Sequence, residues 1–316
     1  MPELPLRSDG AAPSIDVLGL GAVAIDELLI VDAYPVAESK VRVRRRERQC
    51  GGQTGTALVA AARFGARAAY GGLLGDDALS QEVVENFVHE GIETRWASTA
   101  ADARPAYSTI VVDQTTNTRT VFAAVEGRLG AAPDGPEAPV IQTATVLLID
   151  HHGLEGNLRA ARIAREHGRA VVADFERDPG PPFNELLPLV DHLIVSASFA
   201  EQLTGSADPV VAASRLRSTG RTLAAVTCGR RGCFFVTGGA SSDVRHQPAF
   251  HVEAVDTTGC GDVLHGVYAA SLAAGCDPAE SIRQASAAAA LSATAIGGQA
   301  GIPRRDAITR LLRRSN

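Results

Sequence analysis

A glycine-rich segment, Asp256–Asp262 (DTTGCGD), carries residues suited to phosphoryl transfer. Gly259 and Gly261 allow a tight turn whose backbone N–H groups point inward. The amphipathic stretch that follows predicts a helix from about Asp262 to Ala274, and the N-terminus of that helix adds the positive end of its dipole. Turn and helix together can bind an anion such as a phosphate. Asp262 at the edge of this cradle can accept the proton of a hydroxyl that attacks the phosphate.

The same segment has a simpler interpretation. A Gly-Cys-Gly-Asp sequence often only caps a helix, and Asp262 would then be an N-terminal charge that contributes about 0.3–1 kcal/mol to helix stability. Other segments of the chain agree with the catalytic interpretation and favour it.

These segments resemble the signatures of the PfkB (ribokinase-like) carbohydrate kinases. Asp256–Gly266 is similar to the C-terminal signature of that family. Gly51–Ala57, followed by Ala61–Ala66 and Gly71–Asp77, resembles the N-terminal signature. Thr227–Gly232 resembles the nucleotide-side loop that lies between the two signatures. The segments stand in the order that the family requires.

The resemblance extends from about Ser14 to Leu312. It implies an α/β fold of three α/β/α layers with a mostly parallel sheet and a small inserted β-sheet that acts as a lid. It also implies an ATP-dependent sugar kinase that moves the γ-phosphoryl group of Mg-ATP to a sugar hydroxyl. Asp262 would be the base, with an ordinary aspartate pKa, and Gly259, Cys260 and Gly261 would form the anion hole.

Cys260 departs from the small residue, often alanine, that is expected at this place in the family. A cysteine beside a helix N-terminus can have a lowered thiol pKa. One hypothesis is therefore that Cys260 is sensitive to alkylation and that ATP protects it. The alternative is that the cysteine only substitutes for alanine.

The resemblance also assigns a sugar-binding side. The residues on this side would either accept hydrogen bonds from sugar hydroxyls or let the backbone approach the sugar closely. They are Asp26, Gly51, Gly52, Gln53, Thr56 and His152. Asp26 has a simpler interpretation as a solvent-facing turn residue. Thr56 stands where many family members carry asparagine, and His152 follows the predicted strand that ends at Ile149.

The nucleotide side is assigned in the same way, to Thr227, Gly229, Gly232, Gly259, Gly261 and Gly298. The Gly229–Gly232 spacing also fits a plain hairpin turn. Asp256 and Thr258 lie where the carbonyl groups of relatives bind potassium. The Asn-x-x-Glu motif that many relatives use for magnesium is replaced by Ser196 and Phe199, so Mg²⁺ is expected to be held mainly by ATP phosphates and water.

The substrate within the family stays open at this point. His246–Phe250, Asp262–Gly266 and Gly297–Pro303 resemble most the sulfofructose kinase and ketohexokinase-like branch. A sulfosugar would require an arginine where His151 or His152 stands. A neutral ketose or aldose, or a weakly anionic sugar acid, is compatible with the sequence.

Composition narrows the class of protein. The 316 residues are 45% hydrophobic and carry a net charge of −6, which argues against a nucleic-acid-binding surface. Five cysteines without metal spacing are typical of reduced thiols in a cytoplasm. Met1–Pro13 lacks the pattern of a signal peptide, and no apolar run reaches the roughly 20 residues of a membrane span. We therefore expect a cytoplasmic protein that does not bind membranes.

Short apolar runs alternate with helix-period segments, a pattern that predicts a parallel sheet covered on both faces. Residues 1–316 are expected to form one kinase domain. Strands of alternating polarity at about 37–50 and 105–125 break the pattern and would form the lid, unless they are plain surface hairpins. An exposed lid sheet often pairs with a second copy, so a homodimer is expected.

Two other functions are compatible with the sequence. A nucleoside kinase of the same fold would need an apolar base pocket, which the 4% aromatic content disfavours. A sensor that binds sugar or nucleotide without turnover is supported by the altered magnesium motif and opposed by the intact Asp262 and its glycines.

Overall fold

The structure is a computed structural model that describes residues 15–116, 118–217, 220–238 and 243–314. The N-terminal segment on which the absence of a signal peptide was inferred lies outside these residues. Within them, no helix is long and apolar enough to cross a membrane.

Strands and helices alternate through most of the chain. In chain order the strands are β1 (Ile15–Leu20), β2 (Ala24–Val31), β3 (Arg45–Gly51), β4 (Ala68–Tyr70), β5 (Leu73–Leu74), β6 (Ser98–Thr99), β7 (Ala106–Asp113), β8 (Thr118–Ala124), β9 (Ala144–Asp150), β10 (Ala170–Asp174), β11 (His192–Ser196), β12 (Leu223–Thr227), β13 (Cys233–Thr237) and β14 (Arg245–Gln247). The α-helices are α1 (Gln53–Phe64), α2 (Ala78–His89), α3 (Ala138–Thr143), α4 (Leu154–Glu166), α5 (Phe183–Leu186), α6 (Ala197–Thr204), α7 (Pro209–Leu216), α8 (Cys260–Ala273), α9 (Pro278–Ser292) and α10 (Arg305–Arg314). Two short 3₁₀ turns span Leu187–Leu189 and Gly229–Arg231.

The central sheet has eight strands in the order β14-β13-β12-β11-β10-β9-β1-β4. In this order, the neighbouring strands from β12 to β4 pair in parallel, whereas β13 pairs antiparallel with both β12 and β14. In β9, the run Val146–Ile149 is fully buried because hydrophobic clusters cover both faces of the sheet. The predicted three-layer fold with a mostly parallel sheet is thus confirmed.

A second sheet of four strands has the order β3-β2-β7-β8. It contains the strands that the sequence predicted to form a lid, and we refer to it as the lid. β7 and β8 lie within the predicted range 105–125, whereas β3 occupies only the end of the other range and extends to Gly51. The sequence analysis missed β2, which pairs with both β3 and β7. Two adjacent acidic residues, Asp26 and Glu27, interrupt the polarity pattern of β2, although both are buried. Asp26 therefore lies in the middle of a strand and not in a solvent-facing turn.

Helices α1 and α8 pack so closely that their backbones are in contact. Gly266 on α8 packs against the backbone carbonyl of Ala57 on α1, so a Cβ at Gly266 would overlap that oxygen. Each helix begins with a glycine of positive φ, Gly52 at 84° and Gly259 at 72°. A Cβ at Gly259 would also lie 2.9 Å from the backbone of Gly298. The α1–α8 contact therefore requires glycine, and it brings the two N-termini together.

We predict that Gly266→Ala lowers the free energy of unfolding by about 1–3 kcal/mol, because the added methyl group forces the two helix backbones apart. Gly55→Ala is the matched control on α1, since its Cβ would make only an ordinary contact, 3.4 Å from Val23 Cγ1. That control should be neutral or stabilising by about 0.5–1 kcal/mol. Urea unfolding measures both variants, and equal effects of the two would contradict the described packing.

Candidate active site

Asp262 lies in the first turn of α8, partly buried, and its carboxyl group interacts with that of Asp174 at the end of β10. Burial raises the pKa of Asp262 well above its ordinary value, and the negative charges of Asp174 and Glu176 raise it further. The expectation of an ordinary aspartate pKa was therefore wrong. A carboxylate with a raised pKa is a stronger base once it has lost its proton.

The backbone before Asp262 forms an open cradle. Gly259 is the N-cap of α8, and the N–H groups of a first helical turn have no partner within the helix. A Cβ placed on Gly261 would meet no described atom within 4 Å, so the space next to this residue is free. The Cys260 N–H makes a long bond of 3.4 Å to the Thr257 carbonyl. The N–H groups of this turn, the open space and the helix dipole are together the conditions for binding an anion.

The environment of the Cys260 thiol does not favour the reactive cysteine of the sequence-based hypothesis. Burial raises the pKa of this thiol, and the charges of Asp256 and Asp262 add to the effect. A hydrogen bond from Ser292 Oγ to Cys260 Sγ, 3.4 Å long, only partly opposes it. The thiol is therefore protonated at neutral pH, and the proposed sensitivity to alkylation loses its physical basis. The helix dipole is outweighed here by burial and by neighbouring carboxylates.

Asp150 is a site residue that the sequence analysis missed. Its Oδ2 accepts hydrogen bonds from Ala22 N at 2.6 Å and Thr54 Oγ1 at 2.9 Å, and its Oδ1 accepts one from His152 N at 2.8 Å. Burial, the largest single influence, raises the pKa of Asp150. The interactions with His152, the charge of His151 and the hydrogen bond from Ala22 N together outweigh burial and hold that pKa below the ordinary value. One buried carboxylate thus connects three segments of the site. A charged residue that ends a buried apolar strand was the available signal.

The histidines after β9 have opposite properties. Burial lowers the pKa of His151 to about 4, so its ring is neutral at physiological pH. Burial also lowers the pKa of His152, but the hydrogen bond and the charge of Asp150 outweigh it and place that pKa above the ordinary value. His152 Nδ1 lies 3.3 Å from Asp150 Oδ1. The structure thus gives His152 an acidic partner, and its contact with a sugar stays a prediction.

The remaining sugar-side candidates lie close together. Asp26 pairs across the lid with Gln49 and Ser108, and a side chain on Gly51 would collide with its carboxylate. Burial raises the pKa of Asp26 to about 6. Gly52 caps α1, and a Cβ there would lie 2.6 Å from Val23 Cα. Because Gly51 and Gly52 have no side chains, they leave space for the Asp26 carboxylate and for the backbone just before β2.

Two candidates lie between the sugar side and the anion cradle. Gln53, the first residue of α1, donates its Nε2 to the Asp174 carbonyl at 3.5 Å. Thr56 is buried, and its Cγ2 lies 3.3 Å from where a Cβ of Gly259 would be. The packing of Thr56 against Gly259 and Gly298 explains why this residue is small, and leaves its contact with substrate a prediction.

The nucleotide-side loop lies further along the same edge of the sheet. Thr227 ends β12 opposite Ser196 of β11, and β11 separates β12 from β10. Gly229 and Gly232 have φ values of 53° and 84°. Gly232 packs against the Gln247 carbonyl of β14, so the hairpin alone explains this glycine. Its role in nucleotide binding stays a prediction.

The Asp256 side chain accepts hydrogen bonds from the backbone around the predicted cation-binding residues. Oδ2 accepts a hydrogen bond from Gly297 N at 2.8 Å, and Oδ1 accepts bonds from the backbone N and the hydroxyl of Thr258. These bonds fix the segment whose carbonyls would bind potassium. Among the described residues, no group of three or more His, Cys, Asp or Glu side chains could hold a metal ion.

The family assignment follows from a comparison with family models. The model described as "pfkB family carbohydrate kinase" matches residues 20–305. The chain belongs to this family. It is therefore a carbohydrate kinase, a phosphotransferase with an alcohol group as acceptor.

The relatives that this chain resembles include ribokinases. A ribokinase from Haemophilus influenzae is 29% identical over 296 residues, which are 90% of this chain and 94% of that protein. A crystal structure from Agrobacterium tumefaciens, provisionally assigned as a ribokinase, superposes with a TM-score of 0.89 at 29% identity and covers 95% of this chain and 98% of that one. The Arabidopsis thaliana ribokinase in complex with ribose and ATP has a TM-score of 0.82 at 19% identity, with coverage of 95% and 99%, and shows the shared fold.

We predict that sugar affinity falls by roughly tenfold between pH 7 and pH 5, because protonation of Asp26, whose pKa is about 6, removes an acceptor for sugar hydroxyls. Calorimetric titration of ribose at several pH values measures this change. Asp26→Asn should bind weakly at every pH, with the pH dependence lost. A wild-type affinity that stays constant across this range would contradict the assignment of Asp26.

Proposed function

We propose that this chain is an ATP-dependent kinase of a neutral sugar of the ribose class, with Asp262 as the catalytic base. The observation that carries the proposal is the position of Asp262. It lies at the start of α8, next to the open space at Gly261. It interacts with Asp174, whose backbone carbonyl accepts a hydrogen bond from the sugar-side residue Gln53. The ribokinase relatives support ribose over an anionic sugar.

The proposed mechanism assigns one task to each group. The carboxylate of Asp26 accepts hydrogen bonds from two neighbouring sugar hydroxyls and orients the sugar. Asp262 takes the proton of the attacking hydroxyl, and the backbone N–H groups of residues 259–261 stabilise the negative charge that develops on the transferred phosphoryl group. Bound magnesium would neutralise phosphate charge.

The sheet order supports this arrangement of the two substrates. Sugar-side Asp150 ends β9, Asp174 ends β10 beside Asp262, and the Thr227 loop begins two strands further. Strands lie about 4.8 Å apart, so the Thr227 loop starts roughly 10 Å from Asp174. A nucleotide bound there could extend its phosphates to the cradle. The free state of all five cysteines fits the cytoplasmic location that we propose.

We predict that potassium increases turnover, because its coordination by the carbonyls of Asp256 and Thr258 would hold the segment that leads into the cradle. Replacing potassium by tetramethylammonium at equal ionic strength should lower kcat several-fold. Coupled measurement of ADP release gives the two rates. Equal rates in both salts would remove potassium from the proposal.

We predict a homodimer that forms through the lid. β8 is an edge strand whose residues are all exposed, and Val121 and Phe122 are exposed by 50% and 53%. An unpaired apolar edge of this kind is suited to pairing with a second copy. Phe122→Lys should yield a monomer in light scattering after size exclusion, whereas Val88→Lys on α2, also exposed, should not. A monomeric wild type, or a dimer unaffected by Phe122→Lys, would contradict this.

The test of the proposed function is ADP release with Mg-ATP and potassium over a panel of ribose, deoxyribose, fructose, sugar acids, sulfofructose and nucleosides, with a sugar-free reaction as background. Ribose should have the highest kcat/KM, and phosphorus NMR should identify a sugar phosphate. Preferred turnover of a nucleoside would indicate a nucleoside kinase. Sugar binding without turnover of any compound would indicate a sensor.

A further inference from the structure

His265 is a buried histidine on α8, one turn after Gly261. Its side chain is only 4% exposed. Nδ1 lies 2.8 Å from the Gly261 carbonyl oxygen, and Nε2 lies 3.0 Å from the Ile194 carbonyl oxygen of β11. Both ring nitrogens therefore face backbone acceptors from two different elements.

This geometry determines the number of protons on the ring. A neutral imidazole carries one N–H donor and one lone pair, whereas a carbonyl oxygen can only accept. A neutral His265 would place a nitrogen lone pair against a carbonyl lone pair in the interior, where an unsatisfied polar contact is costly. A doubly protonated ring donates to both carbonyls.

A counterion is in place. Asp174 Oδ2 lies 3.2 Å from His265 Nδ1, and this buried oxygen has no hydrogen-bond partner among the described residues. The His265 ring is therefore placed to pair with this oxygen. Burial of a charged side chain is tolerated when it is paired in this way.

We infer that His265 is a buried imidazolium that positions the two neighbours of Asp262, the Gly261 carbonyl and the Asp174 carboxylate. This inference rests on the proposed function only in so far as Asp262 is the base. His265 is a positioning residue, since it reaches the proposed reacting groups through Gly261 and Asp174. It fastens the first turn of α8 to β10 and β11.

The surrounding charges give the imidazolium a second effect. Asp174 at the end of β10 and Glu176 in the loop that follows interact with its charge, and these two carboxyl groups interact in turn with Asp150 at the end of β9 and with Asp262 on α8. The described contact from β11 is the Ile194 carbonyl. His152 interacts with Glu176 of this carboxyl cluster, and Arg177 lies near His152. Positive charge on His265 lowers the pKa of Asp174 and Glu176 against the effect of burial.

His192 supplies an internal control. It is equally buried, but its Nδ1 lies 2.7 Å from the hydroxyl of Tyr268, which can donate as well as accept. Burial lowers the pKa of His192 to about 4, so this ring is neutral at physiological pH. Two buried histidines of one chain are therefore expected to differ in proton number.

The charge is tested without substrate by nitrogen–proton correlation NMR of the histidine rings in the free protein at pH 7.5. Both ring nitrogens of His265 should be protonated and only one of His192, with His265→Asn and His192→Asn providing the assignments. A neutral His265 ring would overturn the inference. Because no substrate is present, the result is independent of whether the proposed function is right.

The positioning role is tested by the pH dependence of kcat in His265→Gln and His265→Asn, which keep a donor but not the charge. Loss of a charged hydrogen bond is expected to lower kcat about tenfold or more near neutral pH, to move the acid limb of the profile to higher pH and to leave the sugar KM within a few-fold. His192→Asn should leave the profile unchanged. An unchanged profile in folded His265 variants would overturn the positioning role, even if the ring proves charged.

Discussion

The arrangement of the site depends on the close contact between helices α1 and α8. Gly266 rests on the Ala57 carbonyl, and Gly259 packs against Thr56 and Gly298, so the two helices begin side by side. One N-terminus follows the glycines next to Asp26, and the other forms the anion cradle next to Asp262. In the proposed function, a sugar hydroxyl and a phosphate would meet between these two positive helix ends, which requires that no side chain pushes either backbone away.

Charge compensation is the second condition for activity. Four carboxyl groups, those of Asp150, Asp174, Glu176 and Asp262, interact electrostatically at the carboxyl edge of the sheet. Hydrogen bonds hold Asp150 in its ionised form, where it connects the segments around the sugar side. The pKa of Asp262 is instead raised by burial and by its acidic neighbours, as suits a base. One cluster thus contains a fixed structural anion and a group able to exchange a proton.

The sequence predicted what local motifs determine. The central sheet, α8 and its glycines, and the lid strands β7 and β8 follow from periodicity and turn chemistry. β2 was not predicted because Asp26 and Glu27 interrupt its polarity pattern. Both residues are buried by contacts with β3 and β7, which are distant from β2 in the sequence. Asp150 was also not predicted, because its hydrogen-bond partners Ala22 and Thr54 are distant in the sequence and become its neighbours only in the folded chain. The pKa of Asp262 and the protonated state of Cys260 could not be predicted either, because burial and carboxylates from other elements determine them.

The central claim is that Asp262 accepts the proton of the attacking hydroxyl and contributes little to binding. Its most direct test compares Asp262→Asn with the wild type in single-turnover phosphoryl transfer to ribose, together with calorimetric binding of ribose and of a non-hydrolysable ATP analogue. The account predicts that the rate falls by about 10²–10⁴-fold while both affinities stay within a few-fold of the wild type. An undiminished rate, or a loss of rate explained by lost binding, would contradict the account.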